Sequence, residues 1–109
     1  MVDSTSIEAV VGQRLALADE SITLMAAVAD PVRWTVLRHL ADQGTTCVCK
    51  LQEQVPVAAN LLSYHLKVLR ESGLVTTARR GRWVDYTLAT DAAERLGAAL
   101  PTRVTGAGS

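Results

Sequence analysis

The chain has 109 residues, enough for one modest hydrophobic core, and 49% of them are apolar. Only 4% are aromatic and Phe is absent, so we expect a core of Leu, Val and Ala in packed helices. No apolar run approaches the roughly 20 residues that a membrane helix needs, and the N-terminus lacks the basic and apolar stretches of a secretory signal. We therefore expect a cytoplasmic protein with no membrane partner.

The charged residues sum to zero but are unevenly distributed along the chain. Residues 1–30 carry five acids and one base, whereas residues 60–84 carry five bases and one acid. This asymmetry can steer one face of the molecule toward phosphate groups. The zero net charge therefore does not exclude a nucleic-acid partner.

Helix signals dominate the first part of the chain. A short helix is expected over 21–29. Asp30 fits the N-cap position and Pro31 the first helical position, which predicts a second helix running to about Ala41, with Trp34 in its buried face.

The middle of the chain predicts two further helices separated by a tight break. Thr46 is expected to cap a short helix over 47–54. The next helix, at about 59–72, has an apolar stripe at helical spacing and ends at Gly73; the stripe consists of Leu62, Leu66 and Leu69.

A β-hairpin and a last short helix complete the prediction. Residues 75–79 and 82–88 read as strands joined by a turn at Arg80–Gly81. Asp91 is expected to cap a helix that ends at Leu100.

Two helices joined by a break and followed by a basic hairpin are typical of a winged helix-turn-helix. The leucine stripe anchors the second helix and leaves polar side chains on its outward arc, namely Asn60, Ser63, Tyr64 and Lys67. Three guanidinium groups surround the glycine turn of the hairpin, those of Arg79, Arg80 and Arg82. The polar arc suits base edges in a major groove and the arginines suit phosphates or a minor groove. The alternative is a solvated helix beside an ordinary charged hairpin.

We therefore predict a mainly α (α+β) fold, a winged helix-turn-helix with about five helices and a two-stranded β-hairpin wing. A single domain is expected over 1–100, followed by a flexible tail at 101–109. Its expected parts are an N-terminal helical arm at 5–18, the helix-turn-helix at about 47–72, the wing at about 75–88 and a short C-terminal helix at 91–100.

Four motifs in this order resemble the ArsR/SmtB family of metal-responsive transcriptional repressors. Ala29–Arg33 resembles the family's ADPTR segment, and Cys47–Leu51 resembles its CVCDL segment. Ser63–Val75 is similar to the recognition helix SxHLKVLREAGLV, and Gly81–Tyr86 to the second wing strand GRWVYY. The resemblance covers roughly residues 20–96.

This resemblance implies a homodimer, joined through the first and last helices, that binds double-stranded DNA at a dyad-symmetric operator. It also implies repression controlled by an inorganic signal. His65 occupies the place of the family's recognition-helix histidine and is assigned either to packing or to the DNA-binding set. One departure is the missing N-cap before the recognition helix, where the family commonly has Ser and this chain has Ala58.

Cys47 and Cys49 are the candidate ligands for a soft metal or metalloid ion, namely arsenite, zinc, cadmium or nickel. Cysteines this close in sequence make a poor structural disulfide, and we expect a cytosolic setting to keep both of them reduced. Gln52 stands where arsenic sensors of the family commonly place a third cysteine. The family has a second metal site on its last helix, which would begin at Asp91 in this chain. Ala92 and Ala93 follow Asp91, so we expect that second site to be absent. The alternative is that both cysteines are small buried residues without a sensing role.

Other functions remain open at this stage. The chain could be a DNA-binding subunit controlled by a separate metal-sensing co-regulator, or Cys47 and Cys49 could form a thiol redox switch. His39 could supply a third ligand to the cysteines, although a surface or half-buried histidine is the better explanation. A winged-helix module that binds only protein is disfavoured by the wing arginines. An enzyme is not expected, because Ser63 and His65 face different ways on one helix.

Overall fold

The structure, a computed structural model, describes residues 20–101. These residues form five helices and a three-stranded antiparallel sheet. The described part of α1 covers 20–28, and the other elements are α2 (Pro31–Gln43), β1 (Thr46–Cys47), α3 (Val48–Gln54), α4 (Ala59–Glu71), β2 (Val75–Arg80), β3 (Trp83–Leu88) and α5 (Ala92–Ala99). The predicted arm at 5–18 lies outside the described residues, as does the predicted tail apart from Pro101.

The start of α2 is confirmed in detail. The Asp30 carboxylate accepts hydrogen bonds from the backbone N–H of Val32 at 2.8 Å and of Arg33 at 3.2 Å, and Pro31 is the first helical residue. These bonds satisfy two of the N–H groups that a helix start leaves unpaired. The helix ends at Gln43, two residues later than predicted, where Gly44 adopts a positive φ of 78°.

The prediction that Thr46 caps α3 is wrong. The helix begins at Val48 with Cys47 as N-cap and has no side-chain cap. Thr46 lies in β1, and its hydroxyl donates to the Gly44 carbonyl at 2.9 Å. A two-residue strand has no periodic pattern of its own, because only its partner strand defines it.

The sheet has the order β1–β3–β2, so the predicted two-stranded wing gains a third strand at its base. In the β2–β3 hairpin Arg80 pairs with Trp83, which moves the turn to Gly81–Arg82. Gly81 has a φ of 59°, and the described residues show positive φ only at glycines. This is the geometry of a two-residue turn with glycine first, which suits the twist of a hairpin.

The core is built from aliphatic side chains of all the central elements, as the composition predicts. Its fully buried members are Val36, Leu40, Leu51, Val55, Leu62, Leu66, Leu69, Leu74 and Val75. Trp34, predicted to be buried, is 54% exposed. Its position on α2 is adjacent to the buried stripe, and the ring lies along an apolar cleft beside Leu88 and Leu96. No helix within residues 20–101 is long and apolar enough to cross a bilayer.

Candidate nucleic-acid interface

Helix α4 presents two chemically different faces. Leu62, Leu66 and Leu69 are buried and hold the helix against the core. The side chains predicted to face outward are all exposed, and they are Asn60, Ser63, Tyr64 and Lys67. Lys67 lies 3.8 Å from Glu71 one turn later, an exposed pair that leaves its ammonium group accessible. The exposed arc therefore offers amide, hydroxyl and ammonium groups from a rigidly packed helix.

The structure buries His65, which fits the packing alternative rather than a place on the exposed arc. His65 is 7% exposed and lies on the same face as the leucine stripe. Its spacing of three residues from Leu62 and four from Leu69 is the signal that predicts this burial. The ring packs edge-on against Tyr64, with ring centroids 5.2 Å apart.

The His65 ring is engaged by the N-terminal end of α2. Its Nδ1 lies 2.8 Å from Arg33 Nη1 and 3.8 Å from Asp30 Oδ1. Burial raises the pKa of Asp30, but the backbone hydrogen bonds from Arg33 and Val32 and the charge of the Arg33 guanidinium act the other way, and the pKa of Asp30 lies below its usual value. A charged carboxylate is thus held where α4 meets the start of α2.

The three wing arginines have different surroundings. Arg80 makes two hydrogen bonds to Asp85, one of them at 3.0 Å from Nη2 to Oδ1. This pairing lowers the pKa of Asp85, chiefly through the hydrogen bond from Arg80. The guanidinium of Arg82 lies 5.2 Å from the centre of the Trp83 ring, in cation–π range. Within residues 20–101, no hydrogen bond or ion pair engages the side chain of Arg79.

The two cysteines form a disulfide, which corrects the prediction that they are reduced. Their Cα atoms are 5.4 Å apart, within the usual range for a disulfide. Cys47 lies in β1 and Cys49 in the first turn of α3, so the chain bends from strand to helix between them. The rule that residues two apart do not share a helix face therefore does not apply to this pair.

Other candidate ligands are not gathered around the cysteines. The Gln52 side chain donates to the Val57 carbonyl at 2.7 Å and braces the turn between α3 and α4. The part of the chain that the structure describes holds no group of three or more His, Cys, Asp or Glu side chains able to bind a metal. As thiols, Cys47 and Cys49 fit a soft ion as two of its ligands; as a disulfide they offer no thiolate.

The cysteine segment is joined to the wing by the sheet. Cys47 pairs with Asp85 in the β1–β3 register, and Asp85 is the residue that binds Arg80. Paired residues lie on the same face of a sheet. One strand therefore separates the disulfide from the wing arginines.

The sequence reasoning missed three residues that hold this surface in place. Arg33 contacts His65, and Asp85 holds Arg80. Arg95 of α5 donates to the carbonyls of Ser72 at 2.8 Å and Gly73 at 2.9 Å, at the C-terminal end of α4. The contacts of Arg33 and Arg95 join elements far apart in sequence, and the contact between Arg80 and Asp85 depends on the register of the hairpin, so no local pattern signals them.

A short helix, a tight turn, an exposed polar helix and a basic hairpin define a winged helix-turn-helix protein. The model of the family described as bacterial regulatory protein, arsR family, matches residues 30–77. The arsenical resistance operon repressor of Bacillus subtilis is 42% identical over 62 residues, which cover 57% of this chain and 59% of the relative. The chain thus spans less than two thirds of that relative's length.

Two further relatives match over more of their length. The biofilm growth-associated repressor of Agrobacterium fabrum is 39% identical over 83 residues, which cover 76% of this chain and 70% of the relative. The solved structure of the transcriptional repressor BigR from Xylella fastidiosa is 30% identical with a TM-score of 0.63, covering 81% of this chain and 87% of the other.

The chain belongs to the ArsR family of bacterial regulatory proteins. The predicted ArsR/SmtB resemblance and winged helix-turn-helix fold are confirmed. The relatives are transcriptional repressors, which agrees with the prediction that the chain is not an enzyme.

Proposed function

We propose that the chain is a cytoplasmic homodimeric repressor that binds a dyad-symmetric DNA operator and responds to a soft metal or metalloid ion through Cys47 and Cys49. The observation that carries this proposal is the exposed polar arc of α4, held on a buried leucine stripe beside a basic wing. Asn60 and Ser63 read base edges, while Lys67 and the wing contact phosphates. Tyr64 adds a flat exposed side chain to the arc.

A second copy of the chain accounts for the apolar surface on the side of the molecule formed by α1, α2 and α5. Ile22, Trp34 and Leu100 are exposed large apolar side chains. An apolar cleft of about 200 Å³ lies in the same region, and its walls include Val28, Leu37, Leu74, Leu88 and Leu96. Covering this surface by dimerisation would place two recognition helices about 34–36 Å apart, one turn of DNA.

The salt dependence of DNA binding tests the wing. Arg79 is expected to contribute about 0.9 to the slope of log K against log salt, since each phosphate contact releases condensed counterions. Arg79→Ala should lose that increment and weaken binding to all duplexes, whereas Arg79→Lys retains the charge and should keep the slope. Fluorescence anisotropy at several salt concentrations measures both. Equal slopes for the Ala variant and the parent would contradict the wing assignment.

The ion response is tested with arsenite, because the Bacillus relative is an arsenical resistance operon repressor. The reduced protein should release operator DNA when arsenite is added, since two thiolates suit this soft metalloid. The double variant Cys47→Ser, Cys49→Ser should bind the operator and ignore arsenite. A double variant that responds like the parent would rule out the cysteine site.

The disulfide favours a second candidate function, a thiol redox switch. Two thiols and one hydrogen peroxide give one disulfide and two waters, so oxidation needs only a peroxide. The operator affinity of the reduced and oxidised protein is compared in the absence of any ion. A difference in operator affinity between the two states supports the redox switch. If the two affinities are equal and only the reduced protein responds to arsenite, the result supports the ion sensor.

A further inference from the structure

Helix α4 is tied to the rest of the domain at two polar points. At its C-terminal end Arg95 binds the carbonyls of Ser72 and Gly73. In its middle, His65 binds Arg33. Its N-terminal end has no side-chain cap, because Ala58 occupies the N-cap position.

The contact between His65 and Arg33, called the middle tie below, is part of a set that uses all three nitrogens of the Arg33 guanidinium. Nη1 contacts His65 Nδ1 at 2.8 Å, Nε donates to the Ala27 carbonyl at 2.6 Å, and Nη2 donates to the Ala26 carbonyl at 3.2 Å. The two carbonyls belong to the C-terminal end of α1, where helix carbonyls lack partners within the helix. One planar group thus joins α1, α2 and α4.

The contact also defines the chemical state of the histidine. A guanidinium only donates, so Nδ1 of His65 accepts and any ring proton is on Nε2. The bond is made by a nearly buried ring. Removing the acceptor leaves a half-buried guanidinium N–H without its partner.

We propose that Arg33 and His65 are positioning residues that set the orientation of α4 relative to α1 and α2, and through it the sequence specificity of DNA binding. This inference rests on the proposed DNA-binding function. With the middle tie removed, α4 keeps its leucine stripe and its tie to Arg95, and it can rock about its C-terminal end. The displacement is greatest at Asn60 and Ser63, the residues assigned to base edges, and smallest near Arg95.

The expected result is weaker discrimination between specific and nonspecific DNA, rather than a uniform loss of affinity for both. Contacts to bases depend on orientation to within a fraction of an ångström, whereas phosphate attraction is long-ranged and tolerant. Losing one such buried hydrogen bond corresponds to about tenfold in an equilibrium constant. We therefore expect His65→Leu to lower the ratio of specific to nonspecific affinity about tenfold.

The experiment uses the full chain and two DNA duplexes. The specific duplex is the preferred sequence that the parent selects from a random library, and the nonspecific one is a scrambled duplex of equal length and composition. His65→Leu retains bulk and removes the acceptor, whereas His65→Asn keeps an acceptor near the place of Nδ1. Arg33→Lys keeps the charge and loses the three-way contact. Val55→Ala, a buried change at the end of α3 and outside the three helices that Arg33 joins, is the stability control.

The inference predicts that His65→Leu and Arg33→Lys bind the selected duplex about tenfold less tightly and the scrambled duplex within about twofold of the parent. His65→Asn should restore most of the ratio of specific to nonspecific affinity. Val55→Ala should lower the melting temperature and leave that ratio unchanged. Equal losses on both duplexes, or an unchanged ratio in both tie variants, would overturn the inference alone. A parent that selects no preferred duplex would overturn the proposed function and this inference with it.

Discussion

Restoring a cap to α4 should stabilise the protein by a predictable amount. Ala58 already has the extended backbone of an N-cap residue, with φ −60° and ψ 147°, but no side-chain acceptor. Its carbonyl accepts from the N–H of Leu61 and of Leu62, each at 3.0 Å, while no side chain offers an acceptor to the first N–H groups. A hydroxyl at this position can accept from the N–H of Asn60 or Leu61 without any change of backbone.

The gain is expected to be about 1 kcal/mol for Ala58→Thr. In a domain of this size that raises the melting temperature by about 4–8 °C. Ala58→Val is the matched control, since valine has the shape of threonine and no acceptor. Both variants are melted at the same protein concentration, because association would add its own contribution to the midpoint. Thr and Val variants that melt together would refute the capping argument.

Two further predictions concern contacts around the recognition surface. Gly73→Ala should destabilise the protein by about 1–2 kcal/mol in urea unfolding, because φ is 75° and a methyl group would lie 2.7 Å from Arg95 Nη1. Asp85→Asn should lower the unfolding midpoint at pH 7. Arg80 lowers the pKa of Asp85 in the folded protein, so the ion pair stabilises the fold fully above the ordinary carboxyl pKa of about 3.9. This stabilisation is lost as the pH falls through the lowered pKa of Asp85 in the folded state. The unfolding midpoints of the parent and of Asp85→Asn should therefore become equal in acid.

The elements that the sequence predicted well are those with local signals. Asp30 and Pro31 mark a helix start through the carboxylate cap and the fixed proline φ, and both act as expected. Gly73 ends α4 with a positive φ, as its place after the leucine stripe indicates. These features need only neighbouring residues, so a single sequence suffices to find them.

The features that the sequence does not predict depend on strand pairing or on the face of a helix that a residue occupies. The sequence predicts Thr46 as a helix cap, and only its pairing with Tyr86 makes it a strand residue. The pairing of Arg80 with Asp85 depends on strand register, which moved by one residue relative to the predicted turn. The family resemblance leaves His65 open to packing or to DNA binding, and its spacing from the leucines places it on the buried face.

The strand order β1–β3–β2 leaves β2 as an outer edge of the sheet. An edge strand presents unpaired backbone N–H and C=O groups to which a strand from another molecule can add, and charged side chains on the edge oppose such addition. Arg79 and Arg80 occupy the outer end of β2, so the charges assigned to DNA phosphates also oppose strand-to-strand aggregation. Replacing both arginines by neutral residues would therefore cause two effects at once, weaker DNA binding and self-association. Single substitutions are the ones that separate recognition from solubility.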